Sequence, residues 1–153
     1  APLLRLSHII KLNTNRKGDV LNMTTTEKLE TYIKAELGDA ALYKELSKIA
    51  PSDEDRKLLL EFSADEQSHA DEFKRIYTML TRKTFNPEIK TPVISDSFKN
   101  VLRERVLDES GDFRKYGEQY LQENVNTMLK DAYYRARTDE NVHALRLLYM
   151  ISK

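Results

Sequence analysis

Two Glu-x-x-His pairs stand out in this chain: Glu66 with His69, and Glu140 with His143, each inside Asp-Glu-x-x-His-Ala. Residues three apart share a helix face, so each pair offers a carboxylate oxygen and an imidazole nitrogen to one ion. A second motif also recurs. Glu36-Leu37-Gly38-Asp39-x-x-x-Tyr43-x-Glu45 in the first half returns as Glu109-Ser110-Gly111-Asp112-x-x-x-Tyr116-x-Glu118 in the second. The chain has no cysteine, which excludes disulfides, thiolate nucleophiles, Cys-ligated zinc and iron–sulfur centres. Any metal must be held by oxygen and imidazole. Hard carboxylates with one imidazole per metal suit iron or manganese, with zinc competing by affinity alone.

These residues need helices to bring them together. Thr24-x-x-Glu27 reads as a capping box opening a first helix, which continues through Leu29, Ile33, Ala40, Tyr43 and Leu46 and stops before Pro51. Ser52 and Asp53 are N-cap candidates for a second helix, with apolar residues at Leu59, Phe62, Phe73, Ile76 and Leu80 and an end near Thr81. Residues 83–95 hold two prolines and no helical period, and so form a connector. A third helix is expected from Asp96 or Ser97 to about Gln122. A fourth follows a turn at residues 124–126, with Leu129, Tyr133, Ala136, Leu147 and Met150 on one face.

Within this frame, Glu66 and His69 fall in the apolar stripe of the second helix, and Glu140 and His143 in that of the fourth. Solvated acids on charged helices would not sit there. A carboxylate in such a stripe costs several kcal/mol unless it is paired or bound to metal, and four of them would repel one another without cations. Glu36 and Glu66 lie level across the first turn, and Glu109 and Glu140 level across the last. All six groups should therefore converge near mid-bundle. One Glu from each of two helices, plus Glu-x-x-His from each of the other two, is the di-iron or di-manganese carboxylate arrangement.

The expected fold is all-α: a four-helix bundle of the ferritin-like kind, with a long crossover between helices 2 and 3. Helices of about 27 residues are about 40 Å long, and a connector of about 13 residues reaches roughly 45 Å. A homodimer is expected, and so taut a connector permits helix exchange between protomers. Residues 24–153 form this domain. Residues 1–23 are an accessory N-terminal tail that matches nothing later in the chain; Met23 would make a plausible start, and His8 in the tail is expected to be solvated.

Lys plus Arg and Asp plus Glu both total 25. That balance gives no electrostatic reason to expect nucleic acid or a membrane surface as partner. No apolar run approaches the roughly 20 residues of a membrane span, and the start lacks a convincing signal peptide. Cytoplasmic is the default. With four glutamates inside, the exterior becomes more basic by about four charges.

Residues 24–153 resemble the ferritin-like domain of rubrerythrins, through Glu36 with Tyr43, Glu66-x-x-His69, Glu109 with Tyr116, and Glu140-x-x-His143. The resemblance implies two irons, bridged by Glu66 and Glu140, with Glu36 and Glu109 as terminal ligands and one of His69 and His143 on each. It implies a peroxidase that reduces hydrogen peroxide, with Glu66, Glu140, Tyr43 and Tyr116 at the reacting centre. The family's extra glutamate on the third helix corresponds here to Asp112, one methylene shorter and counted among the metal ligands; its duplicate is Asp39. The rubredoxin module is missing, so electrons would come from a separate donor such as a rubredoxin-like protein.

Around the ligands, Tyr43 and Tyr116 either hydrogen-bond the terminal carboxylates or are core aromatics with a polar tip. Asp65 and Asp139 either accept the outer imidazole N–H or are ordinary surface acids. Glu45 and Glu118 are expected in surface salt bridges. Gly38 and Gly111 suggest a close approach of helices. Two rival functions share much of this sequence. One is ferritin-like iron binding and oxidation with dioxygen, which assembly into a large shell would favour. The other is a non-catalytic helical interaction protein, whose metal content Glu66→Ala and Glu140→Ala would leave unchanged.

Overall fold

A computed structural model describes residues 23–153, so the expectations for residues 1–22, His8 included, lie outside the described residues. Four helices and no strands occur among the described residues: α1 (Thr25–Lys48), α2 (Asp53–Thr81), α3 (Phe98–Gln122) and α4 (Thr127–Ile151). Each begins at the cap its sequence supplies. Thr24 accepts from the Glu27 amide at 3.2 Å while Glu27 accepts from the Thr24 amide at 2.7 Å, closing the reciprocal box. Ser52, Ser97 and Asn126 accept from the amides of Asp55, Asn100 and Leu129. Asp53, Glu54 and Asp55 add negative charge at the start of α2, where the helix dipole favours it. That helix ends at Arg82 in the left-handed region, with φ of 61°.

The helices pack as two hairpins, α1 on α2 and α3 on α4, joined by contacts between α2 and α4. Two apolar clusters fill the interior. One is rich in aromatics: Tyr32, Phe73, Tyr77, Tyr116 and Tyr133 with Leu29, Ile33, Ile76 and Leu129. The other gathers Tyr43, Leu46, Leu59, Phe62, Leu102, Leu147 and Met150. Phe85, early in the connector, packs on the first cluster, and Ile94, near its end, packs on the second. The crossover therefore runs the length of the bundle and returns the chain to the end from which α2 started. As a result α1 and α4 run one way and α2 and α3 the other. Between the clusters lies a belt of buried polar side chains: Glu36, Glu66, His69, Arg105, Glu109, Glu140 and His143.

Two sequence expectations need correcting here. Leu80 is 49% exposed, because the apolar stripe of α2 turns through Tyr77 (7% exposed) as its last buried residue. A Cβ placed on the exposed Gly111 would meet nothing within 4 Å, so no close helix approach requires that glycine. The half-buried Glu45 forms the expected salt bridge, with Lys48 at 2.6 Å, and Glu118 is exposed. No helix among the described residues is long and apolar enough to cross a membrane.

Candidate metal centre

The periodicity of each helix aims its acid inward at the same height, and the six sequence-predicted glutamates and histidines meet. They form two groups whose ligand atoms lie within 4.8 Å of one another: Glu36, Glu66, His69 and Glu140, and Glu66, Glu109, Glu140 and His143. Glu66 and Glu140 belong to both. Each group adds one carboxylate and one imidazole of its own. The arrangement suits two adjacent cations sharing two carboxylates.

The histidines are oriented from outside, and crosswise. His69 Nε2 lies 2.7 Å from Asp139 Oδ2 on α4, and His143 Nε2 lies 2.9 Å from Asp65 Oδ2 on α2. Each aspartate precedes the Glu of one half and holds the histidine of the other. With Nε2–H donating outward, Nδ1 presents its lone pair to the centre. His143 Nδ1 sits 2.9 Å from Glu66 Oε1, and His69 Nδ1 sits 3.3 to 3.6 Å from Glu36, Glu140 and Glu66.

The tyrosines cross over too. Tyr43 on α1 donates its hydroxyl to Glu109 Oε1 on α3, and Tyr116 on α3 donates to Glu36 Oε1 on α1. Burial raises both phenols well above their usual value of 10, so each keeps its proton. One oxygen of each terminal glutamate is thus tied outward, and the other is left for the centre.

The test of a metal here lies in the atoms without hydrogen-bond partners. Both oxygens of Glu66, both of Glu140, Glu109 Oε2 and His143 Nδ1 are buried and make no hydrogen bond, although Glu66 Oε1 and His143 Nδ1 stand 2.9 Å apart. Buried polar atoms in folded proteins are nearly always paired. These are lone-pair donors facing one another, a set that a cation satisfies and a further donor-poor side chain would not. Burial, reinforced by the neighbouring carboxylates, raises Glu66 and Glu140 well above the usual carboxylate range. Glu36 goes the other way: burial works against its charge, but the adjacent Glu66 and His69 pull it down to about 2. Burial likewise disfavours charge on His69, yet the carboxylates of Asp139, Glu140, Glu36 and Glu66 outweigh it and raise its pKa. Metal and proton therefore compete for the same atoms.

No family model matches the chain, and no solved structure matches it. Over 123 residues it is 32% identical to the uncharacterized protein YhjR of Bacillus subtilis (strain 168), covering 80% of this chain and 83% of that protein. The chain belongs to the YhjR family. In this YhjR-family chain, one residue departs from the sequence reading. Asp112 joins neither group of ligands; its Oδ1 lies 2.8 Å from Lys115 Nζ, three residues on along the same helix. Asp39, its duplicate, is drawn instead to Arg105, with Oδ2 at 2.8 Å from Nη2.

Arg105 is the residue the motifs did not announce. It is 6% exposed and sits one turn before Glu109 on α3. Its Nη2 reaches Glu109 Oε1 at 2.9 Å and its Nε donates to Tyr43 Oη at 3.2 Å. The four-residue spacing from Glu109 was the available signal, since such pairs meet on a helix surface. The repeat hid it, because the duplicate position on α1 is Tyr32.

Proposed function

We propose that this chain is a non-haem di-iron oxidoreductase of the rubrerythrin type, in a ferritin-like bundle, reducing hydrogen peroxide with electrons from a separate donor protein. The observation that carries the reading is the set of buried, unpartnered lone-pair atoms on Glu66, Glu140, Glu109 and His143, shared between two ligand groups. Glu66 and Glu140 would bridge the ions, with Glu36 and His69 completing one and Glu109 and His143 the other. Four ionised glutamates and two divalent ions make a locally neutral centre, which removes the repulsion among the acids.

Two ferrous ions held by these residues would supply the two electrons that, with two protons, turn one peroxide into two waters. The residues around them serve that reaction. Glu36, Glu66, Glu109 and Glu140 would keep hold of the ions as their charge changes, because each carboxylate offers two oxygens. Tyr43 and Tyr116 hold protons on their hydroxyls at the terminal carboxylates, and the two apolar clusters keep bulk water from the centre. Asp65 and Asp139 fix the imidazole tautomer that leaves each Nδ1 free to bind. These residues hold no cysteine-ligated electron carrier, so the returning electrons would come from outside the four-helix domain, as from a rubredoxin-like protein.

Stopped-flow mixing of the diferrous protein with hydrogen peroxide tests this. Oxidation much faster than with dioxygen is the expected result. Oxidation by dioxygen at an equal or greater rate would move the protein to iron oxidation and handling instead.

A further inference from the structure

The two halves of the centre share their ligand types but not their surroundings. We infer that Arg105 makes the two metal positions unequal, so that the Glu36–His69 position binds its ion tightly and the Glu109–His143 position binds its ion weakly. The inference rests on the di-metal reading above and deepens it.

Both terminal glutamates give one oxygen to a tyrosine, Glu36 to Tyr116 and Glu109 to Tyr43. Only Glu109 also accepts from a guanidinium. Arg105 Nη2 lies 2.9 Å from Glu109 Oε1, the same oxygen that Tyr43 holds. On the opposite side, the residue in the matching place is the neutral Tyr32, whose hydroxyl has no hydrogen-bond partner. The cation on that side, Lys115, bonds to Asp112 at 2.8 Å, lies over the rings of Tyr116 and Tyr32 at 4.4 and 5.1 Å, and acts on Glu36 through space rather than through a hydrogen bond.

Three consequences follow for an ion at Glu109. A charge-assisted bond withdraws electron density from the carboxylate that must hold the metal. Glu109 is confined to binding through Oε2, because Oε1 is already held by two donors. A fixed positive charge in a low-dielectric interior also repels an approaching cation more strongly than it would in water. Asp39 and Asp108, at 2.8 and 3.3 Å from the guanidinium, hold Arg105 in place and soften that repulsion, but they leave its bond to Glu109 intact. Orientation acts in the opposite sense, since a fixed carboxylate binds more readily. Tyr43 already supplies that orientation at the same oxygen, so the charge decides the sign.

The test is a titration of the metal-free chain with cobalt(II), followed by its visible absorption and by calorimetry. The wild type should fill in two steps separated by on the order of 10- to 100-fold in affinity. Glu109→Ala should remove the weak step and Glu36→Ala the tight one. Arg105→Gln, which removes the charge, should strengthen the weak step by about tenfold, whereas Arg105→Lys should leave the gap largely in place. Two equal steps in the wild type, loss of the tight step in Glu109→Ala, or an unchanged gap in folded Arg105→Gln would each overturn the inference while leaving the di-metal reading intact. If circular dichroism shows Arg105→Gln unfolded, the wild-type isotherm and the two glutamate variants still decide. Failure of the wild type to bind cobalt at all would overturn the di-metal reading, and this inference with it.

Discussion

The Glu36–His69 half and the Glu109–His143 half differ in what surrounds the same ligands. Around the first, four rings pack together: Tyr32 against Tyr116 at 5.4 Å, and Phe73 against Tyr116 and Tyr133 at 5.7 and 5.8 Å. Around the second, Phe62 lies 4.4 Å from the His143 ring and a guanidinium reaches the carboxylate. The ligand positions are constrained by one demand, that oxygen and nitrogen lone pairs meet at a point. Their neighbours answer a looser demand, to fill space and set charge. A duplicated site can therefore keep its donors while its two halves bind and react differently. The crosswise contacts of Tyr43, Tyr116, Asp65 and Asp139 also make each half depend on the other's helices.

The strongest way to break the comparison is to remove what both halves share. Glu66 belongs to both ligand groups. Glu66→Ala should therefore cost both ions at once, whereas His69→Ala or His143→Ala should each cost one. Metal counts on the three purified variants check this, and loss of a single ion in Glu66→Ala would separate the two positions.

A smaller effect is expected when only protons are changed. In the metal-free protein Glu66 and Glu140 have folded-state pKa values raised above the usual 4.5, by burial and by the other carboxylates. Their contribution to stability is fully present below 4.5 and lost as pH rises through the raised values. His69, raised above 6.5, has the same sign: its contribution is present below 6.5 and lost as pH rises through its raised value. Glu36, pulled down to about 2, opposes only at low pH, where its contribution is lost as pH falls toward that value. The chelated protein should thus melt at falling temperature as pH goes from 4.5 to neutral. Manganese(II) should flatten the trend; the same slope with and without metal would contradict the placement of these acids at a metal site.

The finest cut separates the halves through their outer acids. Asp139→Asn should weaken the ion at Glu36–His69 by about 10- to 100-fold, although Asp139 sits on the helix that carries His143. Asp65→Asn should do the same at Glu109–His143. An effect confined to the histidine on the same helix would show that the crosswise bonds do not orient the ligands.

Much of this was legible in the residues themselves. Thr24, Ser52 and Ser97 mark the helix starts because their side chains can accept from amides that a helix leaves free. The convergence of the six Glu and His side chains was legible because an acid inside an apolar stripe has so few explanations. What crosses between helices was not. That Tyr43 serves Glu109 rather than Glu36 depends on which helices are neighbours, which spacing along one helix does not encode. Asp112 looked like a ligand by the resemblance to rubrerythrins, but Lys115 on the next turn competes for it. Arg105 was concealed by the repeat itself, since the matching residue Tyr32 has a different chemistry.

The central claim is that the buried carboxylates exist to hold two ions. Elemental analysis of the protein purified without oxygen tests it most directly, with Glu66→Ala prepared alongside. The account predicts two ions per chain in the wild type, chiefly iron, and none in the variant. Equal metal content in the two proteins, or none in either, would contradict it.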